Sequence, residues 1–211
     1  MEKTNPIMET ALSGTWTFTP ENGAPAQITV ANGGGWLKQG FDCEAGTYET
    51  RIAIPDFEQS FTAKLEIGAV NHHAEYYIGE SAGSMVKIHE EVTAFTPQTV
   101  DLSAHVKPGR EYILRIFVRA YKGGRPVAPH WAEWSECVAR GLFRDAFLRF
   151  FPEVRISDIF VKTSVAERRF VCDVWVENSS AHDKPVALGG AFSSWNMFNF
   201  AYPEIAMQNI L

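Results

Sequence analysis

Hydrophobic and polar positions alternate along most of this chain with a period of two, the pattern of strands that bury one face. Phe61, Ala63, Leu65, Ile67 and Ala69 fall on one side, with Thr62, Lys64 and Glu66 on the other. Tyr48, Thr50, Ile52 and Ile54 share a face opposite Glu49 and Arg51, until Pro55 removes a backbone donor and ends the run. Across residues 111–120, Tyr112, Leu114, Ile116 and Val118 alternate with Arg115 and Arg119. The same pattern predicts strands at 14–19, 26–31, 73–79, 98–102, 144–151, 156–164 and 170–176, with shorter ones at 186–188 and 191–195. No long stretch keeps a helical period.

Turn chemistry supports many short strands. Asn32-Gly33-Gly34-Gly35 offers residues that accept positive φ, and Pro108-Gly109 suits the two central positions of a type II turn. Lys122-Gly123-Gly124 closes the long strand that begins at Glu111. Short antiparallel strands without helices bury their apolar faces against one another, so the fold class is all-β, a sandwich or jelly roll. Pro152 and Glu153 interrupt an apolar strand, and alternation restarts at Ile156. The expected division is a first domain at 1–154 and a second at 155–211. Three or four strands cannot close a second sandwich when an immunoglobulin-like one needs about seven. The second unit is therefore expected to be incomplete and the chain a truncation.

Composition narrows the partners. The 211 residues are 45% hydrophobic and 21% charged, as in ordinary globular proteins, and the formal charge of −6 argues against a nucleic-acid surface. Arg140, Arg144 and Arg149 cluster, but aromatic and aliphatic residues interleave them at strand spacing, as on an outward strand face. Cys43, Cys137 and Cys172 are an odd, widely spaced set without a CxxC pair, which predicts neither a disulfide framework nor a zinc site. No apolar run follows the polar start, so neither an export signal nor a membrane span is expected. A cytoplasmic location follows for the chain as it stands, and a periplasmic or secreted one if a signal was removed.

An ordered series of short motifs then carries a resemblance. It runs through Gly14-Thr15-Trp16-Thr17-Phe18, Gly46-Thr47-Tyr48 with Ile54-Pro55, and Gly68-Ala69-Val70-Asn71. It continues through the segment 88–95, Asp101-Leu102-Ser103 with Lys107-Pro108-Gly109, Gly141-Leu142-Phe143-Arg144-Asp145, and 156–161. In this order they resemble the N-terminal sugar-binding domain of glycoside hydrolase family 2, the β-galactosidase and β-glucuronidase family. The resemblance implies a jelly-roll (galactose-binding-like) β-sandwich followed by the start of an immunoglobulin-like β-sandwich. Three departures stand out. Glu90-Glu91 replaces two glycines of the family pattern, Thr96-Pro97 is displaced relative to its usual Pro-Phe, and Ile78-Gly79-Glu80 replaces its Asn-Gly hairpin.

Retaining glycosidases of that family use two carboxylates about 5–5.5 Å apart, supplied by a (β/α)₈ barrel of about 250 residues. This chain has no such segment, so the resemblance implies no catalytic residue here and a missing barrel as partner. It also implies a β-galactoside- or β-glucuronide-like carbohydrate ligand. Asn71 matches a sugar-contacting Asn of the family, and the equivalent of a second, acidic contact falls at Ser135, with Glu133 and Glu136 nearest. Read from the residues themselves, Trp131, Glu133, Trp134 and Glu136 crowd two indoles and two acids into a loop. Such a loop can stack a pyranose ring and bind its hydroxyls, or its tryptophans can plug an end of the sandwich. Asn71 can equally be a strand-end turn residue.

No cofactor or metal is expected. His72 and His73 are adjacent and face opposite sides of a strand, while His89, His105 and His130 lack chelating spacing. Asn32-Gly33-Gly34-Gly35 lacks the Lys-Ser/Thr of a phosphate loop. Three functions remain open: a non-catalytic sugar-binding and scaffolding fragment of a hydrolase, a free-standing carbohydrate-binding module, and a structural interaction domain.

Overall fold

Most strands form where the alternation predicts them. In a computed structural model that describes residues 8–31, 35–58, 60–93, 96–120, 139–194 and 205–206, they are, in chain order, β1 (Met8–Ala11), β2 (Gly14–Pro20), β3 (Ala26–Val30), β4 (Ala45–Ala53), β5 (Phe61–Ile67), β6 (Val70–Asn71), β7 (His73–Gly79), β8 (Val86–Val92), β9 (Gln98–Asp101), β10 (Glu111–Arg119), β11 (Gly141–Leu142), β12 (Ala146–Pro152), β13 (Val154–Ser164), β14 (Arg169–Asn178), β15 (Ala191–Phe192) and β16 (Ile205–Ala206). The helical turns described are single 3-10 turns at Leu37–Gln39 and Ala82–Ser84. No helix among the described residues is long and apolar enough to cross a membrane.

Two antiparallel sheets make a β-sandwich, one ordered β3-β2-β4-β10-β7-β8 and the other β1-β12-β5-β9. Register aligns the inward residues into rows. Phe18, Tyr48, Ile116 and Tyr76 are cross-strand partners in succession, and each is fully buried. Leu148, Leu65 and Val100 form the facing row in the smaller sheet. Each large side chain buried this way contributes about 1.5–3 kcal/mol, and each cross-strand pair a few tenths to about 1 kcal/mol more. Trp36 fills one end of the core, stacked on Phe18 at 5.4 Å, while Phe61 meets Phe150 edge to face elsewhere, with Phe57 tilted against both.

Five described strands, β1, β6, β8, β11 and β16, escaped the periodicity. All four residues of β1 are exposed, so its sequence carries no alternation, and it is held by its register with β12. A bulge opposite Tyr76 and Tyr77 breaks the period in β8. β6 and β11 are two residues each. The strand expected at 186–188 is absent, since residues 183–190 take no regular conformation. Val186 there is half exposed, and no strand among the described residues pairs with it. Of the strand expected at 191–195, Ala191–Phe192 forms and pairs with β16.

β13 and β14 form a separate two-stranded ribbon. Its base meets the sandwich through Arg155, whose guanidinium lies 4.1 Å from the Phe151 ring centre. Ser179 N–H also donates to Glu153 O at 2.8 Å, and Thr62 Oγ1 to Ser179 Oγ at 3.2 Å. Ile156, Ile159 and Val161 lie along one face with Val176 and stay exposed.

Candidate functional site

Two of the motifs that carry the resemblance, Gly68–Asn71 and Gly141–Asp145, are neighbours in space. β6 pairs with β11, Asn71 opposite Gly141 and Val70 opposite Leu142. Gly68 N–H donates to Asp145 O at 2.8 Å, and Phe143 N–H to Ala69 O at 3.3 Å. This short ribbon lies where the chain crosses from the smaller sheet (β5) to the larger (β7).

Asn71 is 2% exposed. Its Nδ2 donates to the Ala139 carbonyl at 2.8 Å. Its Oδ1 is buried without a hydrogen-bond partner among the described residues. An amide with its donor engaged and its acceptor open is uncommon inside a protein, because an unsatisfied buried acceptor costs about 1–3 kcal/mol. The neighbouring His72 N–H donates to Arg119 O at 3.2 Å. The residues on either side of 121–138 are thus both tied next to β6: Arg119 through His72, and Ala139 through Asn71.

Around the ribbon the backbone approaches aromatic groups closely. Gly141 has φ +83°, and a Cβ there would lie 2.2 Å from the Tyr48 hydroxyl and 2.4 Å from the Trp36 ring. Tyr48 accepts the Leu142 N–H at 3.3 Å, and burial pushes its phenol far above the ordinary value, so it stays protonated. Trp36 N–H donates to Arg140 O at 3.0 Å. Glycine is required at 35 too, where a Cβ would sit 1.8 Å from that same oxygen.

Beside the ribbon opens a cleft of about 470 Å³ lined by Glu21, Asn22, Asp42, Cys43, Glu44 and Arg140. Arg140 Nη1 reaches Asp42 Oδ1 at 3.4 Å and Cys43 O at 3.5 Å. Glu21 Oε1 accepts the N–H groups of Glu44 and Ala45, each at 3.1 Å. The Cys43 thiol is pushed up to about 11, first by burial and then by Glu21, so it is no nucleophile at neutral pH. Cys43 and Cys172 are both free thiols. This lining can exchange hydrogen bonds with a polyol. It offers no nucleophile–base pair.

Of the residues read from sequence, Asn71 sits in the ribbon, whereas Trp131, Glu133, Trp134 and Glu136 lie outside the described residues. Arg140, Arg144 and Arg149 separate. Arg149 pairs with Glu9 and Glu66, each at 2.7 Å, and Arg144 is exposed at the turn beside Gly68. Glu90 and Glu91, which replace the family's glycines, lie in the extended strand β8. Sequence reading missed Tyr48, Trp36 and Arg140 as the frame of this site. The signal available was Gly141 itself, a glycine entering a strand and therefore a close approach.

No protein-family model matches the chain, and no curated protein matches it in sequence. Solved glycosidases do match in fold, specifically β-glucuronidases. A β-glucuronidase of Ruminococcus gnavus superposes with a TM-score of 0.62 at 18% identity, over 84% of this chain and 34% of that one. A complex of R. gnavus β-glucuronidase with D-glucuronic acid gives 0.61 at 18%, over 83% and 35%. The β-D-glucuronidase of Dictyoglomus thermophilum gives 0.55 at 15%, over 85% and 39%. At such identities the likeness is one of fold. The chain spans about a third of the length of the R. gnavus enzyme.

Proposed function

We propose that this chain is the sugar-binding and scaffolding part of a family 2-like glycoside hydrolase. Residues 1–154 form its jelly-roll domain, and residues 155–211 begin an immunoglobulin-like sandwich that the parent protein completes. The parent cleaves β-glycosidic bonds, β-glucuronides or β-galactosides, by a retaining mechanism whose carboxylates lie in a barrel outside this chain. The observation that carries the reading is the joining of Gly68–His72 to Gly141–Asp145 in one ribbon, within a sandwich whose fold matches β-glucuronidases.

In this reading the ribbon shapes one wall of the sugar site. Asn71 holds Ala139 with Nδ2 while its Oδ1 stays buried, so its first role is to fix the wall. Trp131 and Trp134 stack on the pyranose, and Glu133 and Glu136 accept from its hydroxyls.

Two measurements test this. Sequencing the locus past the codon for Leu211 is expected to reveal a downstream barrel; a natural stop codon there would sink the proposal. Calorimetric titration of the chain with methyl β-glucuronide and methyl β-galactoside is expected to give no heat at millimolar sugar. Heat that vanishes in Trp131→Ala and Trp134→Ala would assign a free-standing carbohydrate-binding module instead.

A further inference from the structure

On the outer face of the larger sheet, β7 and β8 bring together His73, Glu75 and Glu90. Two register facts cause this. His73 and Glu75 are two apart on one strand and so share a face, and Glu90 is the direct cross-strand partner of Glu75. His73 Nε2 lies 2.8 Å from Glu90 Oε1 and 3.9 Å from Glu75 Oε1. The three donor atoms all fall within 4.8 Å of one another. Ligands around a tetrahedral ion with bonds of about 2.1 Å stand about 3.4 Å apart, so side-chain torsions alone can close this set on an ion.

The set is also oriented by a neighbour on the same strand face. The Tyr77 hydroxyl donates to Glu75 Oε2, which leaves Oε1 turned toward His73. Outer-shell hydrogen bonds of this kind fix ligand direction in metal sites. The bulge in β8 places Lys87 on the same face as Glu90, although the two are three positions apart. Its Nζ lies 2.5 Å from Glu90 Oε2 and 3.5 Å from Glu75 Oε1. Across β10, Arg119 is the partner of His73 and Phe117 that of Glu75. Among the described residues, Lys87 is the cation that contacts both carboxylates.

We propose that His73, Glu75 and Glu90 bind one divalent transition-metal ion, and that Lys87 is a built-in competitor whose ammonium fills the carboxylate pair when the metal is absent. One imidazole and two carboxylates suit a borderline ion such as Zn²⁺ or Co²⁺ better than a hard one. The three protein ligands leave a position for water. Bound metal would pin the edge strand β8 to β7, and nothing in this proposal depends on the sugar site.

Isothermal titration of the full chain with ZnCl₂ is expected to show one site. His73→Ala and Glu90→Gln are each expected to weaken it by about 10–100-fold. Lys87→Met is expected to tighten it by about tenfold, because an opposing unit charge some 4 Å away is removed. Co²⁺ should give a visible absorption spectrum that His73→Ala abolishes. Circular dichroism of each metal-free variant confirms that these exposed substitutions leave the fold intact. No heat at millimolar Zn²⁺, or equal affinity in His73→Ala, would overturn the site. Unchanged affinity in Lys87→Met would overturn the competition.

Discussion

Gly141 shows how one residue can commit a site. Its φ of +83° and its contact with Tyr48 and Trp36 leave no room for a Cβ. Gly141→Ala combines left-handed backbone with overpacking and is expected to cost at least about 2 kcal/mol in urea unfolding. Tyr48→Phe removes the acceptor for the Leu142 N–H and should cost about 1–3 kcal/mol, the penalty for a stranded buried donor. Asn71→Ala releases Ala139 O, now held at 2.8 Å, and should destabilise the chain within that same range. A thermal scan unchanged by Asn71→Ala would deny it the wall-fixing role. Asn71 and Gly141 were both legible in the sequence, because an amide at a strand end and a glycine entering a strand are local signals. Tyr48 was legible only as an inward strand residue, since its hydroxyl partner lies 94 positions away.

Between elements, polar contacts join the two sheets at Gln98. The Tyr76 hydroxyl of β7 donates to Gln98 Oε1 of β9, and Gln98 Nε2 donates to Thr93 Oγ1 at 2.8 Å. Gln98→Leu strands the buried Tyr76 hydroxyl and is expected to cost about 1–3 kcal/mol. Adding Tyr76→Phe removes the stranded group, so the double variant should lose less than the two single costs combined, a coupling that a double-mutant cycle reads directly.

At the base of the β13–β14 ribbon, surface ion pairs add to the backbone ladder. A hydrogen bond from Arg155 holds the Glu177 carboxyl below its ordinary value, and one from Lys184 does the same for Glu153. A lowered folded-state value means stabilisation that is present above the ordinary carboxylate value of 4.5 and lost as pH falls through the folded value. Hydrogen exchange, corrected for its intrinsic pH dependence, should therefore show amides at 154–178 opening below that pH before those of β4 and β10 do. Equal loss in both regions would remove the ion pairs from the account. The alternation in β4, β5, β7 and β10 made those strands legible. β8 was not, because its bulge shifts the period by one residue and hides the face shared by Lys87 and Glu90.

For the whole molecule, the sandwich buries its apolar rows while the ribbon does not. Ile156, Ile159, Val161 and Val176 line one open face, between 38% and 52% exposed. A two-stranded ribbon is marginal alone, and its open face is an apolar patch of the kind that binds hydrophobic probes. The isolated chain is expected to bind the dye ANS at this face, and Ile159→Thr with Val161→Thr is expected to reduce the signal. Undiminished dye binding in that variant would show that the exposed surface lies elsewhere.

The period-two alternation and the turn residues determined by themselves an all-β sandwich, because burying one strand face is a local requirement written every second residue. The motif order pointed to a glycosidase-like fold for the same reason, since each motif is a local turn or strand end. Only the tertiary structure decided that Gly68–His72 and Gly141–Asp145 pair, that Tyr48 and Trp36 frame them, and that His73, Glu75 and Glu90 converge. Those outcomes depend on sheet order and strand register, which are set by contacts between residues tens of positions apart and leave no periodic trace in the chain.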